Sequence, residues 1–157
     1  MTRVQPEPPG EQPPHGASIV GGIDRNSPGP GPFVMAADTL EGNKVVDPAG
    51  DEIGTIDHIM IDVLGGRVAY AVLAMGGFLG IGEKLFALPW SALTLDTRRK
   101  CFVLGVERDR LKAAPGFDKD HWPSMADSQW ATSIHQYYGI APYWEAERYD
   151  PWDDRGR

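Results

Sequence analysis

The chain has little cysteine, a shortage of positive charge and few long apolar runs, and each shortage excludes a class of protein. Cys101 is the one cysteine among 157 residues, so no disulfide can form within the chain. The 15 basic residues are outnumbered by 22 acidic residues, which gives a net charge of −7. This balance argues against duplex nucleic acid and anionic membrane surfaces as main partners, because both attract basic proteins.

No segment has the pattern of a membrane anchor or a secretory signal. The uncharged residues 68–82 number 15 and include four glycines, whereas a spanning helix needs about 20 apolar residues. The N-terminal region lacks the apolar stretch of a signal peptide. We therefore expect a cytoplasmic protein that does not insert directly into a membrane.

Three segments of different composition follow one another along the chain. Residues 1–37 hold eight of the 14 prolines, which predicts a flexible arm, although Ser18–Val20 could dock as a short extended piece. Residues 38–116 alternate short β-type runs with glycine turns, which predicts a single β domain. Residues 117–157 contain nine of the 15 aromatic residues, which predicts an ordered extension.

The central segment has the pattern of a small, closed, all-β barrel. Its apolar spacing slips near Asp57, which indicates a β-bulge. One strand is apolar on both faces, which is typical of a strand in the middle of a barrel or sandwich. Pro89 confines its strand to a sheet edge or a strand end. The predicted strands cover residues Lys44–Val46, 53–63, Arg67–Met75, 84–90, 94–95 and 101–106.

Two helices are predicted after the last strand. Residues 107–114 form a short helix that ends before Pro115. The second helix begins after Asp127, a good N-cap, and ends at Gly139. Its aromatic face places His135 on the opposite, solvated side. The predicted apolar face consists of Trp130, Ile134, Tyr137 and Tyr138.

An ordered set of motifs between residues 42 and 117 resembles the PRC-barrel family, named for the cytoplasmic domain of the photosynthetic reaction-centre H subunit. The tail, with Tyr137-Tyr138-Gly139, looks like the extension of stand-alone bacterial members. The motifs that carry the resemblance are DPAGDEIG at 47–54, ID at 61–62, GRV at 66–68, GGFLGIGEK at 76–84, LPW at 88–90 and LKAAPGF at 111–117.

The resemblance implies a small, strongly bent, mostly antiparallel β-barrel. It also implies an assembly or interaction module, because relatives of this family organise a membrane reaction centre or form the C-terminal domain of a ribosome-maturation factor. Members of the family are not known as enzymes through this domain. A ribosome-related role rests on this analogy alone, and the acidic charge argues against it.

Three groups of residues invite a catalytic or metal-binding interpretation, and each has a simpler structural one. Asp57 and His58 are neighbours on a strand and point to opposite faces, so an acid–base pair is disfavoured. His121 with Asp118 and Asp120 is too loosely spaced for a typical zinc site. Cys101 has no activating neighbour in the sequence and is expected to be an inert, partly buried thiol. We therefore predict no catalytic, metal-binding or cofactor-binding residue.

Two further motifs are also best explained structurally. The glycine-rich residues 76–82 lead into a strand rather than a helix, which does not suit a phosphate-binding loop. Phe78 and Leu79 in this loop could instead form an apolar contact patch. The basic residues 98–100 offer too few phosphate contacts for stable RNA binding and are expected to form a solvated turn.

The aromatic extension is the feature that most strongly suggests a function. Its rings could cover the barrel of the same chain or anchor an intermolecular contact, and the sequence leaves both possibilities open. We expect a non-enzymatic binding module that self-associates or binds an unknown protein. The alternative is a small-ligand protein with a pocket between barrel and extension, lined by Trp90, Phe78 and tail aromatics. The tail residues predicted to make contacts are Trp122, Trp130, Tyr137, Tyr138, Tyr143 and Trp144.

Overall fold

A computed structural model describes residues 16–22, 26, 28–31, 33–76 and 82–145 of the chain. Three short α-helices accompany the strands: α1 (Ala37–Leu40), α2 (Arg108–Lys112) and α3 (Ser128–Tyr138). Single 3-10 turns lie at Trp90–Ala92 and Tyr143–Glu145. The seven strands are β1 (Ser18–Val20), β2 (Lys44–Val46), β3 (Glu52–Asp62), β4 (Arg67–Met75), β5 (Lys84–Pro89), β6 (Leu93–Asp96) and β7 (Cys101–Leu104).

All seven strands belong to one sheet, in the order β1-β6-β7-β2-β3-β4-β5. The β1–β6 and β2–β7 pairs are parallel, and the other four pairs are antiparallel. Within the described residues no pairing joins β1 to β5, so the sheet is open. The expected all-β closed barrel is therefore corrected to a mostly β fold with an open sheet and a few short helices.

The predicted bulge lies where the sequence placed it. The β3–β4 register shifts between Ile56 and His58, which leaves Asp57 as the extra residue. Just before this point Gly54 allows the two strands to approach closely. A methyl group at that position would overlap the carbonyl oxygen of Ala74 and the side chain of Leu73.

Strand β4 is buried on both faces, as its composition predicted, but two different partners cover it. One face contributes to an inner cluster that includes Val45, Ile56, Leu73, Phe86 and Phe102. Since residues of β2 through β7 share this cluster, the sheet curves around it. The opposite face contributes to an outer cluster of Ala69, Tyr70, Ala87 and Ile134, and Ile134 belongs to the C-terminal extension.

The short piece Ser18–Val20 docks in the extended form that the sequence left open. It pairs in parallel with β6, so that Ser18 faces Thr94 and Val20 faces Asp96. The hydroxyl of Thr97 also donates to the carbonyl oxygen of Val20 at 3.1 Å. Residues 1–15 of the predicted arm lie outside the described part of the chain.

Helix α3 begins and ends as predicted. The side chain of Asp127 accepts a hydrogen bond from the amide of Gln129, and Gly139 adopts φ +67°, a left-handed conformation that favours glycine. The predicted solvated position of His135 is wrong, because its side chain is 1% exposed. The buried residues of the helix are Ala131, Ile134 and His135. The buried face therefore shares Ile134 with the predicted face but is rotated by about one residue around the helix axis.

Candidate interaction surfaces

The described part of the C-terminal extension, residues 117–145, folds back over the outer face of β4 and β5 in the same chain. Tyr70, on β4, lies at the centre of the contact. The centroid of its ring is 5.4 Å from that of Trp130, 5.5 Å from that of His135 and 5.7 Å from that of Tyr143. Tilted and edge-to-face arrangements of this kind are favourable for aromatic rings. Burial together with nearby Tyr143 raises the pKa of Tyr70, so this phenol stays neutral.

His135 is enclosed by rings of the same extension. Its ring lies 5.8 Å from that of Tyr143 and 5.3 Å from that of Trp144, between centroids. Nδ1 lies 2.7 Å from the carbonyl oxygen of Ala131 and therefore donates to it. Burial lowers the pKa of His135, and the hydrogen bond to Ala131 offsets this only in part. The neutral ring is therefore the form that suits this site.

Arg67 attaches the turn at Tyr143 to the β3–β4 hairpin. Its Nη1 donates to the carbonyl oxygen of Tyr143 at 3.0 Å, and its guanidinium lies 5.1 Å from the centroid of the Tyr143 ring. Its Nε pairs with Asp62 at 3.1 Å. One side chain thus joins a cation–π contact, an ion pair and a hydrogen bond at the point where the extension reaches the sheet.

Arg110 and Tyr137 make a second attachment, between α2 and α3. Nη2 of Arg110 donates to the carbonyl oxygen of Tyr137 at 2.7 Å, and the Tyr137 hydroxyl donates to the carbonyl oxygen of Arg110 at 2.6 Å. The two residues thus satisfy each other's backbone acceptors. This reciprocal pair holds α3 against the helix that follows the last strand.

The chain between these helices covers the edge strand β5. Phe117 forms an isolated antiparallel bridge with Leu85, with amide–carbonyl distances of 2.8 and 2.9 Å. The Phe117 ring packs on Trp122 at 5.0 Å, and Trp122 reaches His58 at 5.3 Å, both between ring centroids. The bridge occupies part of an edge that would otherwise present unpaired backbone groups.

The end of the β3–β4 hairpin carries the most exposed large apolar side chains of the described residues. Val63 is 83% exposed and Leu64 is 101% exposed, and Ile61 beside them is also exposed. A hollow of about 260 Å³ adjoins them. Its walls come from the hairpin and the extension, and they include Met60, Ala69, Met125 and Tyr143. A projecting apolar tip and an apolar hollow therefore lie side by side, and we call them together the hairpin surface.

A second cavity lies on the N-terminal side of the sheet. It has a volume of about 370 Å³, and Trp90 and Phe102 line it together with residues of the N-terminal segment. The expected pocket between barrel and extension also required Trp90. The structure places Trp90 at this other cavity instead, and Phe78 and Leu79 lie outside the described residues.

The residues that the sequence suggested as catalytic or metal-binding groups form no such site within the described residues. Asp57 and His58 are both exposed. Nδ1 of His121 lies 2.8 Å from Oδ1 of Asp118, on the surface, and this bond lowers the pKa of Asp118. Cys101 is buried. Among the residues that the structure describes, no three His, Cys, Asp or Glu side chains are grouped as metal ligands would be.

The predicted contact residues of the extension are brought together, but mainly with one another and with β4. Trp122 and Trp144 are the more exposed of them, at 39% and 38%. The hairpin surface was not predicted from the sequence. Its signal was present, since Ile61, Val63 and Leu64 stand directly before the turn glycines 65–66, where polar residues are usual. No helix in the described ranges has the length and apolar character to span a membrane.

Comparison with known proteins identifies the central segment. The family model described as PRC-barrel domain matches residues 34–106. These residues form a PRC-barrel domain. The resemblance inferred from the sequence motifs is thus confirmed for this part of the chain. The PRC-barrel domain includes strands β2 to β7, whereas β1 and the extension lie outside the matched range.

Among solved structures, one similar chain is a candidate 16S ribosomal RNA processing protein, RimM, from Pseudomonas aeruginosa. It is 22% identical, with a TM-score of 0.34, and the match covers 48% of this chain and 45% of that one. The chain thus spans less than half the length of that protein. A similarity this distant carries no argument about function. Comparison with curated proteins found no match.

Proposed function

We propose that the protein is a non-enzymatic binding and assembly module that acts by protein–protein contact and associates with a second copy of itself. The PRC-barrel domain supports the general role through the family's assembly and interaction modules. The observation that carries the proposal is the hairpin surface, where Val63 and Leu64 are almost fully exposed. Burying each of these side chains would stabilise a contact by about 1.5–3 kcal/mol. Their exposure therefore favours a partner that covers them.

A second copy suits this surface because the surface is complementary to itself. In a two-fold symmetric dimer the same patch on each subunit meets its counterpart. The tip residue Leu64 of one copy can then enter the hollow beside Met125 of the other, and the reverse contact forms by symmetry. Both the tip and most of the hollow are apolar, and the charged residue of the lining, Asp62, is already paired with Arg67 at 3.1 Å.

The extension contributes to this surface rather than forming it alone. Because Tyr143 lines the hollow and is held by Arg67, its position depends on the docked extension. Trp144, partly exposed next to Tyr143, would enlarge the apolar contact. The predicted role of the tail aromatics as contact residues therefore remains part of the proposal, with the hairpin as its centre.

The test is the molar mass in solution as a function of concentration. At about 100 µM, sedimentation equilibrium is expected to show mainly dimers, since a dissociation constant of about 1 µM would leave few monomers. Leu64→Lys is expected to give monomers, because it places a charge at the centre of the contact. Val34→Lys is the matched control, since Val34 is 70% exposed and lies outside the hairpin surface.

Two results would overturn the proposed self-association. One is a wild-type chain that stays monomeric at about 100 µM. The other is a dimer that survives Leu64→Lys but dissociates with Val34→Lys, which would place the contact on the N-terminal side. Circular dichroism of both variants establishes that each still folds.

A further inference from the structure

The 370 Å³ cavity on the N-terminal side has two walls of different origin. One wall belongs to the sheet and its connections, where Val68, Trp90, Leu95 and Phe102 point into the space. The other wall is the N-terminal segment, most of which precedes or only just enters the PRC-barrel domain. Its lining residues are Gly16, Ala17, Ile19, Phe33, Val34, Met35 and Leu40.

The chemical character of the lining residues determines which kind of molecule the cavity can bind. All the lining residues are glycine or apolar, and none carries a charge. Water is retained in a cavity when it finds two to four polar partners, which these side chains do not provide. The cavity is partly open to solvent, so its apolar lining atoms face water. An apolar molecule that enters removes these atoms from water, which is favourable, and needs no polar partner.

The walls are held in place before any ligand arrives. Strand β1 is paired along β6, and the amide of Thr97 donates to the carbonyl oxygen of Val20 at 3.0 Å. Gly21, at φ +102°, lets the segment pass so close that a methyl group there would meet the amide nitrogen of Arg98 at 2.8 Å. On the other wall the rings of Trp90 and Phe102 pack edge to face, 5.9 Å apart. A site organised in this way loses little entropy on binding.

We propose that this cavity is a binding site for the hydrocarbon chain of an uncharged apolar molecule. The volume lies within the range of ligand pockets, which is about 300–1,000 Å³. Aliphatic side chains dominate the lining, as suits a flexible alkyl chain. The site is separate from the hairpin surface and shares no lining residue with its hollow, so it does not depend on the proposed self-association.

The experiment uses the neutral dye N-phenyl-1-naphthylamine, whose emission rises in apolar surroundings, with the full chain. Saturable binding of one dye per chain is expected, with displacement by 1-hexanol, 1-octanol and 1-decanol. Each added methylene is worth about a fourfold gain in affinity while the cavity has room. Two methylenes therefore strengthen displacement by about fifteenfold. Lack of saturable binding, or displacement that ignores chain length, would overturn the proposal.

A matched pair of substitutions locates the site. Val34→Trp adds an indole at the cavity wall from a position that is 70% exposed, and it is expected to weaken dye binding at least tenfold. Val63→Trp makes the same change at the hairpin surface and should leave dye binding unaltered. Ala17→Leu fills the same cavity and gives the answer should Val34→Trp fail to fold. The reverse pattern, with loss only in Val63→Trp, contradicts the assignment.

Discussion

The two segments that flank the central strands cover the sheet in different ways. The C-terminal extension packs Trp130, His135 and Tyr143 around Tyr70 and leaves a hollow of about 260 Å³ where it meets the end of the β3–β4 hairpin. The N-terminal segment adds a three-residue strand and a short helix, and a cavity of about 370 Å³ remains beneath it. Aromatic rings pack around Tyr70 on one side, whereas mainly aliphatic residues border an open cavity on the other.

A segment can therefore cover a sheet without filling the space against it with side chains. Backbone pairing sets the register of β1 on β6, and the Thr97 hydroxyl and the packing of Ala17 against the inner cluster add to it. Filling the space beneath requires side-chain volume, which aromatic residues supply. We therefore expect the extension to contribute mainly stability and the N-terminal segment mainly a site.

We call Tyr70 and the rings of Trp130, His135 and Tyr143 around it the aromatic cover. The largest loss of stability should come from removing its central ring, that of Tyr70. Tyr70→Ala is expected to lower the free energy of unfolding by about 3–5 kcal/mol, the usual loss for a buried aromatic residue. Tyr70→Phe is the control. The Tyr70 hydroxyl is buried with no hydrogen-bond partner in the described part of the chain, so its loss should be neutral or slightly stabilising. Urea unfolding of both variants measures the difference.

A smaller effect is expected at the attachment of the extension. Arg67→Met keeps much of the side-chain volume but removes the bond to Tyr143 and the ion pair with Asp62, at a cost of about 1–2 kcal/mol. Lys44→Met removes an exposed pair with Glu52, 3.7 Å long, and should cost less than about 0.5 kcal/mol. Equal losses in the two variants would show that Arg67 does not anchor the extension.

A substitution in the N-terminal segment should loosen the backbone around it and leave the rest of the structure unchanged. Gly21→Ala places a side chain at φ +102° and against Arg98, which strains this turn by about 1–2 kcal/mol. We expect faster amide exchange in residues 16–22 with little change in α3. Gly105→Ala is the control, because a methyl group there meets no atom within 4 Å. If exchange rose equally in α3, the two covers would form one cooperative unit.

The aromatic cover should also make the stability of the protein depend on pH, through His135. Burial depresses the pKa of His135 in the folded state below its ordinary value of 6.5. The unfolded chain therefore takes up a proton first as the pH falls through 6.5 towards the lower folded value, and stability decreases across that window. Tyr70 and Tyr143, which face the ring, stay neutral there because their pKa values are raised.

The variant His135→Phe tests this assignment through the slope of its unfolding free energy against pH, not through its stability at one pH. It should unfold with a weaker dependence on pH below 6.5, whatever its stability at neutral pH. His58→Phe is the matched control, since it makes the same replacement at an exposed histidine, and the slope of His135→Phe is compared with it. An unchanged slope in His135→Phe would show that another group titrates.

Local patterns were sufficient to predict much of the fold. The alternation and turns gave the strands β2 to β7, the slip in spacing gave the bulge at Asp57, and Asp127 and Gly139 gave the ends of α3. These features depend on neighbours within a few residues. The PRC-barrel motifs added the domain, and residues 34–106 match it.

Long-range contacts decided what the local patterns could not. His135 appeared solvated on a helical wheel, but Tyr143 and Trp144 return after Gly139 to cover it. The position of Trp90 next to the N-terminal segment required the β1–β6 pairing, which joins residues more than 70 positions apart. The candidate surface at Leu64 was visible in the sequence only as an apolar residue before a glycine turn.

The amino-acid sequence by itself determined the order of strands and helices, the bulge and the presence of a PRC-barrel domain, because these follow from local spacing and motifs. Only the tertiary structure decided that the sheet stays open, that the extension covers its own chain and that a cavity remains under the N-terminal segment. The physical reason is that burial depends on which distant side chains meet, and side-chain volume then determines whether the space between them is filled.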